Sequence, residues 1–217
     1  MLLTITTTQR PATDLSRLLL ADPDDVRTCR FAFGEALVFF PQHDSARCTA
    51  AVLVQPSADQ LRTPLASLAL VLATVFETAI RDEHPDPAAG DSARHFEVQA
   101  PARPCGDLED RARRLFAPLG YDLELGADGS LWLSTTTDLA SLLTHLCVLL
   151  PVVEGGPVTD GHEIVERLPA RAGGWLAAHP EYGLIAREHP ELSAAMPPAA
   201  PRHQIHKPRI CTRHLAN

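Results

Sequence analysis

The sequence predicts an α+β fold, a mixed or antiparallel sheet with helices packed on one face. Three observations point there. Short runs rich in β-branched and alternating residues recur along the chain, as in L-L-T-I-T-T-T and Y-D-L-E-L, and such runs favour strands. Longer stretches between them carry apolar residues at i, i+3, i+4 and i+7, the spacing of one helical face. The strands also come in adjacent pairs broken by glycine turns, which favours antiparallel pairing.

The elements follow in order. In L-L-T-I-T-T-T, Leu3, Ile5 and Thr7 fall on one face, with Leu2, Thr4, Thr6 and Thr8 on the other. The opening therefore reads as a half-buried strand, closed by Pro11. Thr13 or Asp14 caps a short helix with Leu15, Leu18 and Leu19 inward, and Asp22-Pro23 ends it. R-F-A-F-G-E-A-L-V-F-F-P-Q reads as a hairpin turning at Gly34-Glu35. T-A-A-V-L-V-Q-P is apolar throughout, which suits a central strand. A helix follows, with Pro64 in its first turn and Leu65, Leu68, Ala69, Leu72, Phe76, Ala79 and Ile80 on one stripe. Residues 82–94 are polar and rich in breakers, and read as a linker.

The second half repeats the pattern. H-F-E-V-Q-A is a strand. Residues 107–117 form a helix with Leu108, Ala112, Leu115 and Phe116 inward, and with Glu109–Arg113 and Asp110–Arg114 at i,i+4 outside. Y-D-L-E-L and L-W-L-S-T-T-T pair across Asp128-Gly129. Leu139, Leu142, Leu143, Leu146, Leu149 and Leu150 line the next helix, which Pro151 is expected to stop. Short helices follow in H-E-I-V-E-R-L and G-W-L-A-A-H-P-E-Y-G-L-I-A-R. From Glu188 the composition turns to proline and alanine and then to a basic tail. The expected organisation is a first subdomain over 1–81, a linker over 82–94, a second subdomain with terminal helices over 95–187 and a poorly ordered basic tail over 188–217. Two similar halves, or one continuous sheet with helices on one face, both satisfy this order.

Charge and cysteine usage narrow the function. The net charge is −8, but from Glu191 onward one acid faces Arg202, Lys207, Arg209 and Arg213, a net of +3 that leaves −11 on the body. So acidic a body disfavours sequence-independent nucleic-acid binding. The four tail bases support at most weak RNA contact. Cys29, Cys48, Cys105, Cys147 and Cys211 are odd in number and form no C-x-x-C pair, so reduced thiols are expected rather than a disulfide framework. The opening has no basic n-region, and the apolar stretch near Leu65–Phe76 is too short to span a bilayer. A cytoplasmic chain without a membrane partner is expected.

The candidates for chemistry read as structural. His145 and Cys147 lie two apart on a helix and point to different faces, so Cys147 is expected to be a buried packing residue. His203, His206, Cys211 and His214 cluster in the tail but lack the paired spacing of a zinc finger. Asp22, Asp24 and Asp25 are expected to cap and solubilise. Glu181 and Glu188 are expected to be surface charges, and Trp132 and Trp175 packing residues. Gly155-Gly156 and Gly173-Gly174 read as loops. No G-x-G-x-x-G, P-loop or G-x-S-x-G occurs.

Six stretches, in order over roughly residues 1–187, resemble the amino-terminal region of bacterial HEN-type (Hua-enhancer) RNA 3′-terminal ribose 2′-O-methyltransferases. They are M-L-L-T-I-T-T-T with P-A-T-D-L behind it, F-G-E-A-L-V-F-F-P around Gly34, R-C-T-A-A-V-L-V from Arg47, R-R-L-F-A-P-L-G-Y from Arg113, L-L-T-H-L-C-V-L-L-P-V-V-E from Leu142 and G-W-L-A-A-H-P-E from Gly174. The segment between Val54 and Ser67 is shorter than the family pattern. The resemblance implies a non-catalytic accessory region in RNA repair. Such a region contacts a polynucleotide kinase-phosphatase-ligase and activates its ligase. S-adenosylmethionine and a divalent metal belong to a separate methyltransferase domain. No catalytic, cofactor-binding or metal-ligating residue is therefore expected here, and this chain alone is not expected to be an enzyme. The alternatives are that the chain is part of an S-adenosylmethionine-dependent RNA 2′-O-methyltransferase, or a truncated remnant.

Overall fold

A computed structural model describes residues 1–57, 63–81, 92–102, 106–155, 158, 161–169 and 172–195. Among these residues seven strands form one antiparallel sheet: β1 (Leu2–Thr7), β2 (Arg27–Phe31), β3 (Gly34–His43), β4 (Cys48–Pro56), β5 (Arg94–Pro101), β6 (Asp122–Leu125) and β7 (Ser130–Thr137). Their order is β2-β3-β4-β1-β5-β7-β6. The pair β1–β5 joins the strands of the first segment to those of the second, with Thr4, Ile5 and Thr6 opposite Gln99, Val98 and Glu97. Most of the expected linker, 82–91, and the tail from 196 lie outside the described residues.

The helices are α1 (Asp14–Leu18), α2 (Pro64–Val75), α3 (Glu77–Ile80), α4 (Leu108–Phe116), α5 (Leu139–Glu154), α6 (Gly161–Val165), α7 (Ala172–Ala178), α8 (Tyr182–Glu188) and α9 (Pro190–Ala195). A 3-10 turn, Ala117–Leu119, follows α4. Strand alternation sends Leu3, Ile5, Val52, Val54, Val98 and Leu133 to the helical side, where they are almost fully buried. Both segments feed one contiguous apolar cluster, which runs from Leu3 through α2 and α5 to Leu192. At roughly 25 cal/mol per Å² of apolar area, this burial supplies most of the driving force for the fold. Central placement suits β4, whose apolar run is covered by β3 on one side and β1 on the other.

Local chemistry explains several boundaries. Asp138 caps α5, accepting hydrogen bonds from the Ser141 backbone N–H and hydroxyl at 2.7 Å each. Pro64 starts α2, whose first turn is closed from a distance: the Leu65 N–H donates to the Glu154 carboxylate at 2.8 Å. The β6–β7 turn runs through Gly129 at φ 81°.

Several expectations are corrected. The first hairpin turns at Ala32 and Phe33, with Phe31 opposite Gly34. Gly34-Glu35 already belongs to β3, because Phe33 is drawn into the core at 2% exposure. The single helix expected over Leu65–Ile80 breaks at Phe76 into α2 and α3, although every stripe residue is buried. Pro151 does not stop α5. A proline inside a helix loses one hydrogen bond and crowds the preceding turn, at a cost of about 3 kcal/mol or more, but Val152 and Val153 beyond it are fully buried. Burying two such side chains returns about 1.5–3 kcal/mol each. Asp110 does not pair with Arg114, which instead holds Glu181 in a two-pronged contact at 2.8 and 2.9 Å. Gly173-Gly174 lies within α7 rather than in a loop.

The chain also stays ordered past Glu188. That residue is buried at 7% exposure, and Arg111 donates to its carboxylate at 3.1 Å. Its carbonyl accepts the Val158 N–H at 2.8 Å. His189 and Leu192 are buried as well. Composition alone suggested a solvated tail at 188, but a partner for the carboxylate and an apolar seat for Leu192 keep 188–195 in the fold.

Candidate functional site

Two histidines of the helical layer, His145 and His179, are committed to structure. His145 sits on α5, 8% exposed. Its Nδ1 lies 3.0 Å from the Tyr121 hydroxyl, and Trp175 meets its ring edge-on at 4.7 Å. Burial pulls the His145 imidazole down to about 4, against the pull of Asp138 and with the push of His179. Burial also raises the Tyr121 phenol well above its ordinary value, with Asp138 adding to the effect. Tyr121 O–H therefore donates and a neutral His145 accepts. His179 donates Nε2–H to the Leu115 carbonyl at 2.9 Å and accepts the Glu181 N–H on Nδ1. These contacts position helices rather than a reacting atom.

The thiols are equally unsuited to attack. Cys147 is fully buried and its pKa is raised by desolvation. Cys48 is pushed up to about 11, chiefly by burial. A nucleophilic thiol needs the opposite shift. Asp22 and Asp25 accept backbone N–H groups in their own loop, from Asp24 at 3.0 Å and Val26 at 2.8 Å. Among the described residues no group of three or more His, Cys, Asp and Glu is placed to hold a metal ion. The tail set of His203, His206, Cys211 and His214 lies outside those residues, as do Cys105 and the bases from Arg202 to Arg213. No helix among the described residues is long and apolar enough to cross a membrane.

What the described residues do present is the second face of the sheet. All seven strands contribute to it, and the helices pack on the other side. Its residues fall in rows set by the register. One row runs Leu37–Leu53–Leu2. The next runs Phe39–Ala51–Thr4–Gln99–Trp132–Glu124, and a third runs Gln42–Thr49–Thr6–Glu97–Ser134–Asp122. The face is thus apolar toward β3, threonine-rich along β1 and acidic toward β6. Leu2 is 46% and Trp132 44% exposed, so Trp132 is not the packing residue expected. Trp175, by contrast, packs against the core. The opening threonines take two roles. Thr7 points inward and donates to the His95 carbonyl at 2.8 Å. Thr6 meets Thr49 across strands at 3.0 Å on the open face.

Among the described residues the open sheet face, with Leu2 and Trp132 exposed on it, is the most extensive surface left outside the helical layer. A family described as "RNA repair, ligase-Pnkp-associating, region of Hen1" matches residues 1–65 and 59–197. The chain belongs to this family. Solved chains share the fold, two of them as follows. One, from "Structure of the Pnkp1/Rnl/Hen1 RNA repair complex", aligns with a TM-score of 0.55 and 11% identity over 90% of this chain and 56% of that one. The other, from "Structure of Pnkp1/Rnl/Hen1 complex", aligns with a TM-score of 0.52 and 11% identity over 90% of this chain and 55% of that one. The chain thus spans little more than half the length of these solved chains. Comparison with curated proteins returns no match. Membership in the Hen1 region agrees with the resemblance read from the six stretches. It places within the family the residues 188–195 that composition alone had assigned to the tail.

Proposed function

We propose that this chain is a non-catalytic interaction module of RNA repair, which binds a kinase-phosphatase-ligase and stimulates its ligase. The observation that carries this reading is the family match over nearly the whole described chain, to a region named for association with ligase and Pnkp. The fold supports it. His145, His179 and the Arg111–Glu188 pair hold elements together, and the exposed sheet face offers area without chemistry. The resemblance implies that S-adenosylmethionine and metal chemistry belong to a separate domain, so on this reading no methyl transfer is expected from these residues.

The test mixes the purified chain with the cognate kinase-phosphatase-ligase and follows both complex formation and ligase adenylylation. A stable complex with faster adenylylation is the expected result. If neither appears at micromolar concentrations, the reading is wrong. Methyl transfer from S-adenosylmethionine to RNA by the chain alone would replace it.

A further inference from the structure

We infer that the open face of the sheet is the docking surface, and that its occupant is a protein surface pairing an apolar patch with lysine or arginine. The inference rests on the partner-binding reading above and specifies where and how the contact is made.

Two properties of the face select this occupant. Leu37, Leu53 and Leu2 stand side by side across three strands, forming an apolar stripe that no described helix covers. Leu2 is exposed and Leu37 and Leu53 are half-buried, and apolar surface left open in this way marks association surfaces. At the other end Trp132 is flanked across the β6–β7 pair by Glu124, with Asp122 one row away. Two shallow grooves, of about 290 and 320 Å³, meet along Trp132 and Glu97.

The charges of the face decide the sign of its partner. Its arginines each stand near an acid of the same face: Arg47 lies 3.4 Å from Glu97, and Arg30, still largely exposed, lies 3.8 Å from Glu35. His95 also lies on this side. Asp122 and Glu124 are exposed, and neither has a cationic partner among the described residues. A ring face beside two unspent carboxylates suits a guanidinium or ammonium group, which gains from both the ring quadrupole and the carboxylates. The same charges repel phosphates, so a nucleic acid is disfavoured as occupant. Complementary charge across such a face would orient docking and speed encounter.

The experiment measures affinity of the full chain for the purified cognate kinase-phosphatase-ligase at two salt concentrations. Four proteins are compared: wild type, Trp132→Ala, the pair Asp122→Lys with Glu124→Lys, and Glu109→Lys on the outer side of α4. Circular dichroism melts check folding in each case. Truncating a central aromatic anchor is expected to weaken binding by about tenfold or more. Reversing the two acids is expected to slow association and flatten its salt dependence. Glu109→Lys is expected to bind as wild type does. If Trp132→Ala fails to fold, the charge-reversal pair, whose positions are exposed, decides. Wild-type affinity in both sheet-face variants would overturn the placement while leaving the partner reading intact. Equal weakening in all three variants would also overturn it, as non-specific attraction. Failure of the wild-type chain to bind would overturn both. Single-stranded RNA bound by wild type and lost in the sheet-face variants would reassign the face to RNA.

Discussion

His145 shows how far a single residue can depart from the role its type suggests. A histidine two positions from a cysteine invites a catalytic reading, yet burial holds it neutral down to about pH 4, and Tyr121 occupies its Nδ1. The consequence is a stability that depends on pH. In the unfolded chain this imidazole titrates near 6.5, and in the folded one near 4. Between those values the unfolded state binds the extra proton, so stability falls as pH drops through that window and levels off below it. The shift corresponds to a loss on the order of 3 kcal/mol at most. Urea titrations at pH 7, 5.5 and 4 are expected to show the wild type losing stability relative to His145→Asn as pH falls. Parallel curves for the two proteins would mean that the imidazole is not held neutral. His189 is also shifted down, by burial first, so it acts in the same direction in both proteins and cancels in the comparison.

At the scale of elements, the β2–β3 hairpin and the α4–α8 contact show sequence signals being re-used. The glycine that reads as a turn residue is needed one step later. Gly34 has φ 147°, and a Cβ there would stand 2.2 Å from the Gln55 carbonyl oxygen and 2.9 Å from Pro56 Cα. Backbone cannot yield as a flexible side chain does. Gly34→Ala is therefore expected to lose at least about 2 kcal/mol, read as a lower midpoint in thermal or urea unfolding. A wild-type midpoint would show that β3 and β4 separate there without cost. On the helical side, Arg111 bridges three elements. It donates to the Val152 carbonyl at 3.3 Å as well as to Glu188, which ties α4 to the ends of α5 and α8. Nothing in the local pattern around Glu188 announces this. The i,i+4 rule found Glu109–Arg113, which the structure shows at 2.8 Å. It also suggested Asp110–Arg114, which loses to a two-pronged contact made 67 residues away.

For the whole molecule, the β1–β5 pairing is decisive. The two segments expected as similar halves contribute to one sheet and one core, with the N-terminal strand at the centre. Removing either segment leaves an unpaired edge and half a core. Unfolding is therefore expected as a single cooperative transition. Tryptophan fluorescence reports on the second segment through Trp132 and Trp175, and far-ultraviolet circular dichroism reports on both. Coincident urea midpoints from the two probes are expected, and separated midpoints would restore two independent subdomains.

The sequence by itself determined the kind of most elements and, by its alternation, which side chains of each strand go inward. It also determined the family, because six ordered stretches need no contact map to be matched. Those properties depend on neighbours along the chain: β-branching, a period of two or 3.6, a cap, a proline. Only the tertiary structure decided that the strands of both segments share one sheet, that Pro151 is carried through, that Glu188 is buried and that Trp132 is not. Each of these depends on what lies across space. A carboxylate is a surface charge until an arginine from another helix reaches it, and an aromatic residue in a strand packs only if a layer covers its face. The open face was legible as alternating threonines, but its bareness was not, since periodicity says which residues share a face and not what lies over it.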